Sequence, residues 1–102
     1  MKKHKVIVSQ TTLDMLKEHI AFIANVDKNA ARNTKNRLLE AFKSLEEMPQ
    51  RYPFFNEQYI PSNKYHKMYV EKWYLVLYQI KDETVYIDFV LDCRKDYTWL
   101  IK

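Results

Sequence analysis

The first part of the chain changes from a short apolar run to a helical period. Residues 4–8 form a run that predicts a β-strand. A helix-start signal spans residues 9–12, and Thr11 with Asp14 makes a possible capping box. Apolar residues then recur at spacings of three and four, as on one face of a helix; they are Leu13, Leu16, Ile20 and Ile23. This helix is expected to end near residues 25–26.

A second helix is predicted between Asp27, a typical N-cap residue, and Pro49, which cannot continue a helix. One face is largely apolar and consists of Ala31, Thr34, Leu38, Ala41, Phe42, Leu45 and Met48. The opposite face, the basic face, consists of Lys28, Arg32, Lys35, Asn36, Arg37 and Lys43. A charge stripe of this kind is usually solvated; the alternative is a positive surface for RNA or an acidic partner. Two long helices with a short link predict an antiparallel helical hairpin.

From residue 65 the pattern alternates with a period of two, which predicts β-strands. Three runs cover residues 65–70, 73–80 and 85–91. A tight turn at Glu71-Lys72 separates the first two, and a four-residue polar link, 81–84, separates the last two. These runs predict an antiparallel three-stranded meander.

The segment 48–63 between the helices and the meander is irregular and contains all three prolines of the chain. It also carries five large apolar residues, which a polar linker would not have; they are Tyr52, Phe54, Phe55, Tyr59 and Ile60. We expect an ordered loop that packs on the core, with an aromatic surface for a partner as the alternative.

The complete order, β-α-α-β-β-β, predicts an α+β fold: an antiparallel sheet with the helical hairpin on one face. A chain of 102 residues is expected to form one domain over residues 1–102. Hydrophobic residues make up 47% and charged residues 29%, which is the balance of a globular chain and not of a disordered one.

Composition narrows the possible functions. The absence of glycine excludes a P-loop and a dinucleotide-binding fingerprint. Cys93 is the only cysteine and the three histidines are scattered, so neither an internal disulfide nor a zinc site is expected. No run is long enough for a membrane span or a signal peptide, and a cytoplasmic protein is expected. The net charge of +4 favours anionic partners, either nucleic acid or an acidic protein segment.

The last predicted strand leads into a charged run, Asp92-Cys93-Arg94-Lys95-Asp96-Tyr97. Cations beside an aromatic ring suit a phosphate backbone whose bases can be stacked. Cys93 would be a nucleophile only if Arg94 lowered its pKa. Because nothing else in the sequence supports a thiol mechanism, a small residue at a strand end is the favoured interpretation.

Four features of the second half occur together: Tyr74-x-x-x-Tyr78-Gln79-Ile80, a turn with Asp82, the run 85–91, and the ending Arg94-Lys95-Asp96-Tyr97. With the order of elements, they resemble the RelE/ParE family of toxins from bacterial type II toxin–antitoxin pairs. The resemblance covers nearly the whole chain, and its motifs are specific only in combination. It implies a small antitoxin as partner, which would lay an acidic, amphipathic segment over the basic surface.

In RelE-type members the toxin cuts mRNA on the ribosome without a metal or other cofactor, by attack of the nucleotide's 2′-OH on its own phosphate. The resemblance therefore implies five catalytic candidates in this chain: His66, Lys67, Arg94, Lys95 and Tyr97. His66 would act as general base or acid, the cations would hold phosphate, and Tyr97 would stack a base or donate a proton.

Four of the five candidates also have a structural interpretation. His66 could be a histidine on an exposed strand without a catalytic role, and Lys67 could serve only the solubility of an exposed strand. Arg94 could instead form a salt bridge to Asp92 or Asp96, and Tyr97 could cap the sheet edge beside Trp99.

The chain departs from the ribonuclease pattern at two positions. Leu75 follows Tyr74 where those members typically have arginine, and Met68 stands where alternating cations are often found. ParE-type members share the fold, lack the catalytic set and act on DNA gyrase, so gyrase is the alternative target to the ribosome and mRNA. A third possibility is an inactive module that only binds an antitoxin.

Overall fold

A computed structural model describes residues 3–58 and 60–94 of the chain. Two helices lie on a four-stranded sheet whose strand order is β1-β4-β3-β2. The strands are β1 (Lys5–Val8), β2 (His66–Val70), β3 (Tyr74–Lys81) and β4 (Thr84–Asp92), and the helices are α1 (Gln10–Ala24) and α2 (Lys28–Ser44). A single 3₁₀ turn, Pro49–Arg51, follows α2.

The predicted α+β class and the order of elements are confirmed, and the meander of β2, β3 and β4 is antiparallel as expected. The sheet as a whole is mixed instead of fully antiparallel, because β1 runs parallel to β4, with Lys5 opposite Thr84 and Val8 opposite Ile87. The reason is the connection through the two helices and the long loop: it leads the chain from one edge strand to the other in the same direction.

Local hydrogen bonds fix both helix starts. Ser9 is the N-cap of α1 and accepts a hydrogen bond from the Thr12 amide at 3.0 Å, so the predicted capping box from Thr11 is wrong by two residues. Asp27 caps α2 as predicted and accepts from the amides of Asn29 and Ala30.

The end of α2 differs from the prediction. The helix stops at Ser44, well before Pro49, and Met48 adopts a left-handed φ of 47°. The Arg51 side chain donates to the carbonyls of Glu47 and Met48 in the segment that follows the helix. Met48 is exposed, so the predicted apolar face of α2 ends at Leu45.

The main core lies between the helices and one face of the sheet. Its buried members from the helices are Leu16, Leu38, Phe42 and Leu45; those from the strands are Met68, Val70, Tyr74, Val76, Tyr78, Val85, Ile87 and Val90. A smaller cluster on the opposite sheet face consists of Leu75, Leu77 and Leu91, with Phe55, Tyr65 and Phe89 packed against it. Because β3 is covered on both faces, its central residues are almost completely buried.

The proline-rich loop packs on the sheet as an ordered segment. Phe55 donates its amide to the Tyr65 carbonyl at 2.7 Å, and Lys67 donates its amide to the Pro53 carbonyl at 2.9 Å. The loop thereby pairs with the free edge of β2. Tyr59 lies outside the described residues. Among the described residues, no helix has the length and apolarity needed to cross a membrane.

Candidate functional site

His66 is buried between β3 and the proline-rich loop. Its ring stacks on Tyr78 at 5.3 Å with an interplanar angle of 15°, and it also contacts the ring of Phe54 at 4.2 Å. Its Nδ1 is 2.8 Å from the Tyr52 carbonyl oxygen, to which the Nδ1–H tautomer donates. The residue is 8% exposed. Both sequence interpretations treated it as part of the exposed sheet face, whereas alternation along β2 turns His66 towards the helices.

Lys67 points to the opposite sheet face and is partly exposed. It has no ion-pair partner within residues 3–58 and 60–94. Met68, where a cation was expected in a potent ribonuclease, is 2% exposed and faces the helices. Leu75 is buried in the smaller cluster.

Arg94 is held by a bidentate ion pair with Asp92. Its Nε donates to Oδ1 at 2.9 Å and its Nη2 to Oδ2 at 2.8 Å, while its amide also donates to Oδ1 at 3.0 Å. These hydrogen bonds hold the pKa of Asp92 below its usual range and raise the pKa of Arg94. The salt bridge to Asp92 that the sequence offered as an alternative is therefore present. The guanidinium carbon also lies 5.1 Å from the centre of the Trp73 ring.

Among the described candidates, His66 and Arg94 lie at opposite ends of β2. His66 opens β2, whereas Arg94 lies beside Trp73, next to the pair of Val70 with Tyr74 at the other end of that strand. Four residues of extended chain separate the two ends by about 13 Å. Lys95 and Tyr97 lie outside the described residues, so their catalytic roles stay predictions, as do those of the other three.

The environment of Cys93 disfavours the reactive thiolate form of its side chain. Partial burial and the negative charge of Asp92 raise its pKa. Arg94 does not lower the pKa, because its guanidinium is paired with Asp92.

An apolar groove runs along the outer surface of the helical hairpin and has a volume of about 410 Å³. It is lined by Leu13, Leu16, Lys17, Ile20, Ala21, Lys35 and Leu39. Leu13 belongs to the predicted apolar stripe of α1 and is 37% exposed, and Leu39 of α2 is 42% exposed. Sequence reasoning missed this groove, although the adjacent leucines Leu38 and Leu39 were a signal, since neighbouring residues cannot share one helix face.

The turn between β2 and β3 is a second unusual feature. Glu71 and Lys72 both adopt left-handed backbone conformations, with φ values of 55° and 66°. Such φ values in residues other than glycine cost on the order of 1–3 kcal/mol each and persist only when the surroundings hold them. Here Arg37 of α2 donates to the Glu71 carboxylate at 2.6 Å. Trp73 follows the turn and is 49% exposed.

Comparison with known proteins agrees with this architecture. The fold is similar to a chain of the solved chromosomal ParDE toxin–antitoxin system from P. aeruginosa, with a TM-score of 0.70. The sequence identity is 10%, and the match covers 88% of this chain and 96% of that chain. None of the curated proteins matches the chain.

The family model for the ParE toxin of the type II toxin–antitoxin system, parDE, matches residues 6–97. The chain therefore belongs to the ParE toxin family, within the RelE/ParE group that the motifs of its second half resemble.

Proposed function

We propose that this toxin acts by binding and inhibiting DNA gyrase and is neutralised by a cognate antitoxin. The observation that carries the choice of target is the state of Arg94, whose guanidinium is paired with Asp92 and remote from the buried His66. Acid–base cleavage of RNA needs a base, a cation and a proton donor around one phosphate. Inhibition by contact needs none of these, and membership of the ParE family favours it.

Ribosome-dependent cleavage of mRNA is the competing proposal, and one experiment separates the two. The purified protein is added to a supercoiling assay with DNA gyrase and, in parallel, to a translating extract in which mRNA ends are mapped. We expect loss of supercoiling with intact mRNA. Cleaved mRNA with unaffected gyrase would establish the ribonuclease instead, and no effect in either assay would indicate an inactive antitoxin-binding module.

The apolar groove on the helical hairpin is the proposed binding site of the antitoxin. Leu13, Ile20 and Leu39 offer apolar contacts, and Lys17 and Lys35 contribute positive charge to the lining. An amphipathic helix with an apolar stripe and flanking carboxylates would complement both features.

Lys28, Arg32 and Lys43 of the basic face are exposed and extend the positive surface beyond the groove. Arg37, which was predicted to lie on the same face, instead pairs with Glu71 on the other flank of α2.

Binding of the antitoxin encoded beside the toxin tests this site. Leu39→Glu should weaken binding strongly, because it places a charge on the apolar lining, whereas Tyr69→Glu, a change at an exposed site on β2, should not. Salt should lower the affinity without abolishing it, since exposed charges are screened over about 10 Å at 0.1 M ionic strength. Equal binding by the Leu39→Glu variant would place the antitoxin elsewhere, and a salt-independent affinity would mean that the basic face is only solvated.

A further inference from the structure

We infer that the turn between β2 and β3 is the surface by which this toxin holds its protein target, with the Trp73 indole as the anchor. Arg94 acts beside it as a positioning residue. The partner surface is acidic and offers a pocket for the indole, bordered by carboxylate or carbonyl oxygens. This inference rests on the proposed function, because it assumes that the target is a protein.

Trp73 is exposed, and both its backbone and its ring have a defined contact. Its carbonyl accepts the Cys93 amide at 2.6 Å, so its backbone continues the ladder between β3 and β4. The Arg94 guanidinium lies over its ring at 5.1 Å, and Asp92 fixes that guanidinium in turn. A fixed aromatic ring loses little conformational freedom on binding, which is why tryptophan and arginine dominate the energetics of protein interfaces.

The turn that presents Trp73 is strained and clamped. Two successive residues other than glycine hold positive φ values, at Glu71 and Lys72. The Arg37–Glu71 ion pair ties this turn to α2. Tight hairpin turns commonly require positive φ values, and in a chain without glycine they fall on other residue types, here Glu71 and Lys72. The turn thus presents the exposed Trp73 at a defined place beside the Arg37–Glu71 contact.

Charge and ring geometry favour a protein over a nucleic acid. Two of the Arg94 nitrogens already donate to Asp92, which leaves a partly neutralised cation instead of a free phosphate clamp. Arg94 also lies over one face of the Trp73 ring, so bases could stack on only the other face. Glu71 is paired with Arg37, whereas Lys72 has no ion-pair partner in the described part of the chain. The unpaired ammonium gives the turn a positive charge that attracts carboxylate and phosphate alike, so the preference for a protein rests on the paired state of Arg94 and on its cover of one ring face.

This anchor and the groove lie on opposite flanks of α2. Lys35 lines the groove, whereas Arg37 contacts Glu71 in the turn. Residues two positions apart in an α-helix point about 200° away from each other around the helix axis, so these two side chains leave α2 on nearly opposite sides. Changes at Trp73 should therefore act on the target and leave the antitoxin in place.

The test compares Trp73→Ala and Trp73→Phe with Val26→Ala, which removes an apolar side chain that is 89% exposed at the tip of the helical hairpin. Each variant is assayed for inhibition of gyrase supercoiling, antitoxin affinity and melting temperature. We expect Trp73→Ala to need about 30-fold more protein for half inhibition, the ~2 kcal/mol of an interface hot spot. Trp73→Phe should lie in between, while Val26→Ala and all antitoxin affinities should stay within about twofold.

The outcomes are distinguishable. If the unmodified toxin does not inhibit gyrase, the proposed function fails and this inference fails with it. If it inhibits and Trp73→Ala is equally potent, only this inference is overturned. A fluorescein-labelled single-stranded DNA or RNA that loses affinity for Trp73→Ala, with gyrase inhibition unchanged, would make the turn a nucleic-acid surface and overturn the inference.

A photo-crosslinking residue covers the case in which Trp73→Ala does not fold. A benzophenone side chain at position 73 should crosslink to a gyrase subunit, whereas the same group at position 26 should not. Crosslinking from both positions, or from position 26 alone, would contradict the inference.

Discussion

Arg94→Ala should destabilise the fold, because it removes both guanidinium donors of the Asp92 carboxylate and leaves the amide of residue 94 as the remaining donor. Asp92 is 4% exposed, and both of its oxygens accept from the guanidinium. A buried acceptor left unsatisfied costs about 1–3 kcal/mol. The Arg94 side chain itself is 45% exposed, so water replaces part of the lost interaction. We therefore expect the lower half of that range, about 1–2 kcal/mol.

The pH dependence of this loss has a definite sign. The Arg94 hydrogen bonds lower the pKa of Asp92 in the folded state, so the carboxylate adds stability above its ordinary pKa of about 3.9. That stability is lost as the pH falls through the lowered pKa of the folded state. The difference in melting temperature between the parent and Arg94→Ala should be several degrees at pH 7 and should shrink below about pH 4.

Thermal denaturation followed by circular dichroism measures both quantities. Arg32→Ala is the matched control, because it removes an exposed arginine of the basic face that has no ion pair within the described residues. If the two variants melt together at pH 7 and neither difference changes with pH, Asp92 does not depend on Arg94 in solution. The ion pair would then have no role in stability.

Two further predictions concern the sheet. Leu77→Asp should prevent folding, because Leu77 is fully buried in β3 and an unpaired charge there would be desolvated. Tyr69→Asp, the control at a 58% exposed site on β2, should fold. Equal midpoints of urea denaturation for the two variants would contradict the assignment of β3. His66→Gln should lower the free energy of unfolding by about 1–2 kcal/mol, because the ring contacts with Phe54 and Tyr78 are lost. Growth inhibition per folded molecule should stay unchanged. Cleavage of mRNA that is slower by about 10²–10⁴-fold would instead support acid–base catalysis by His66.

Periodicity predicted the elements of this fold but not every surface that they use. The stripes on both helices mark the core correctly at Leu16, Leu38 and Phe42. A helical period cannot tell a residue that packs on the sheet from one that lines a groove between the helices. Leu13 and Leu39 belong to the second kind, and only the relative position of the two helices separates them from the core.

The position of His66 was within reach of the sequence. His66 shares its parity in β2 with Met68 and Val70, both apolar, and an even spacing places all three on one sheet face. The alternation of apolar residues along β2 therefore predicts that His66 faces the core. The ion pair was less predictable, because the sequence offered both Asp92 and Asp96 as partners for Arg94, and the contact with Asp92 depends on the conformation of the strand end.

The Asp92–Arg94 pair bears directly on the choice between the two targets. A phosphate that bound the Nε–Nη2 edge of Arg94 would have to displace Asp92 from it and weaken the pairing of a buried carboxylate. The N–H groups that remain free belong to a guanidinium whose charge Asp92 already offsets, which weakens their attraction for a phosphate. A protein contact centred on the Trp73 ring makes no such demand, since the guanidinium can keep both hydrogen bonds and still support the indole. The same arrangement that weakens a catalytic role for Arg94 therefore strengthens the turn between β2 and β3 as a surface for a protein partner.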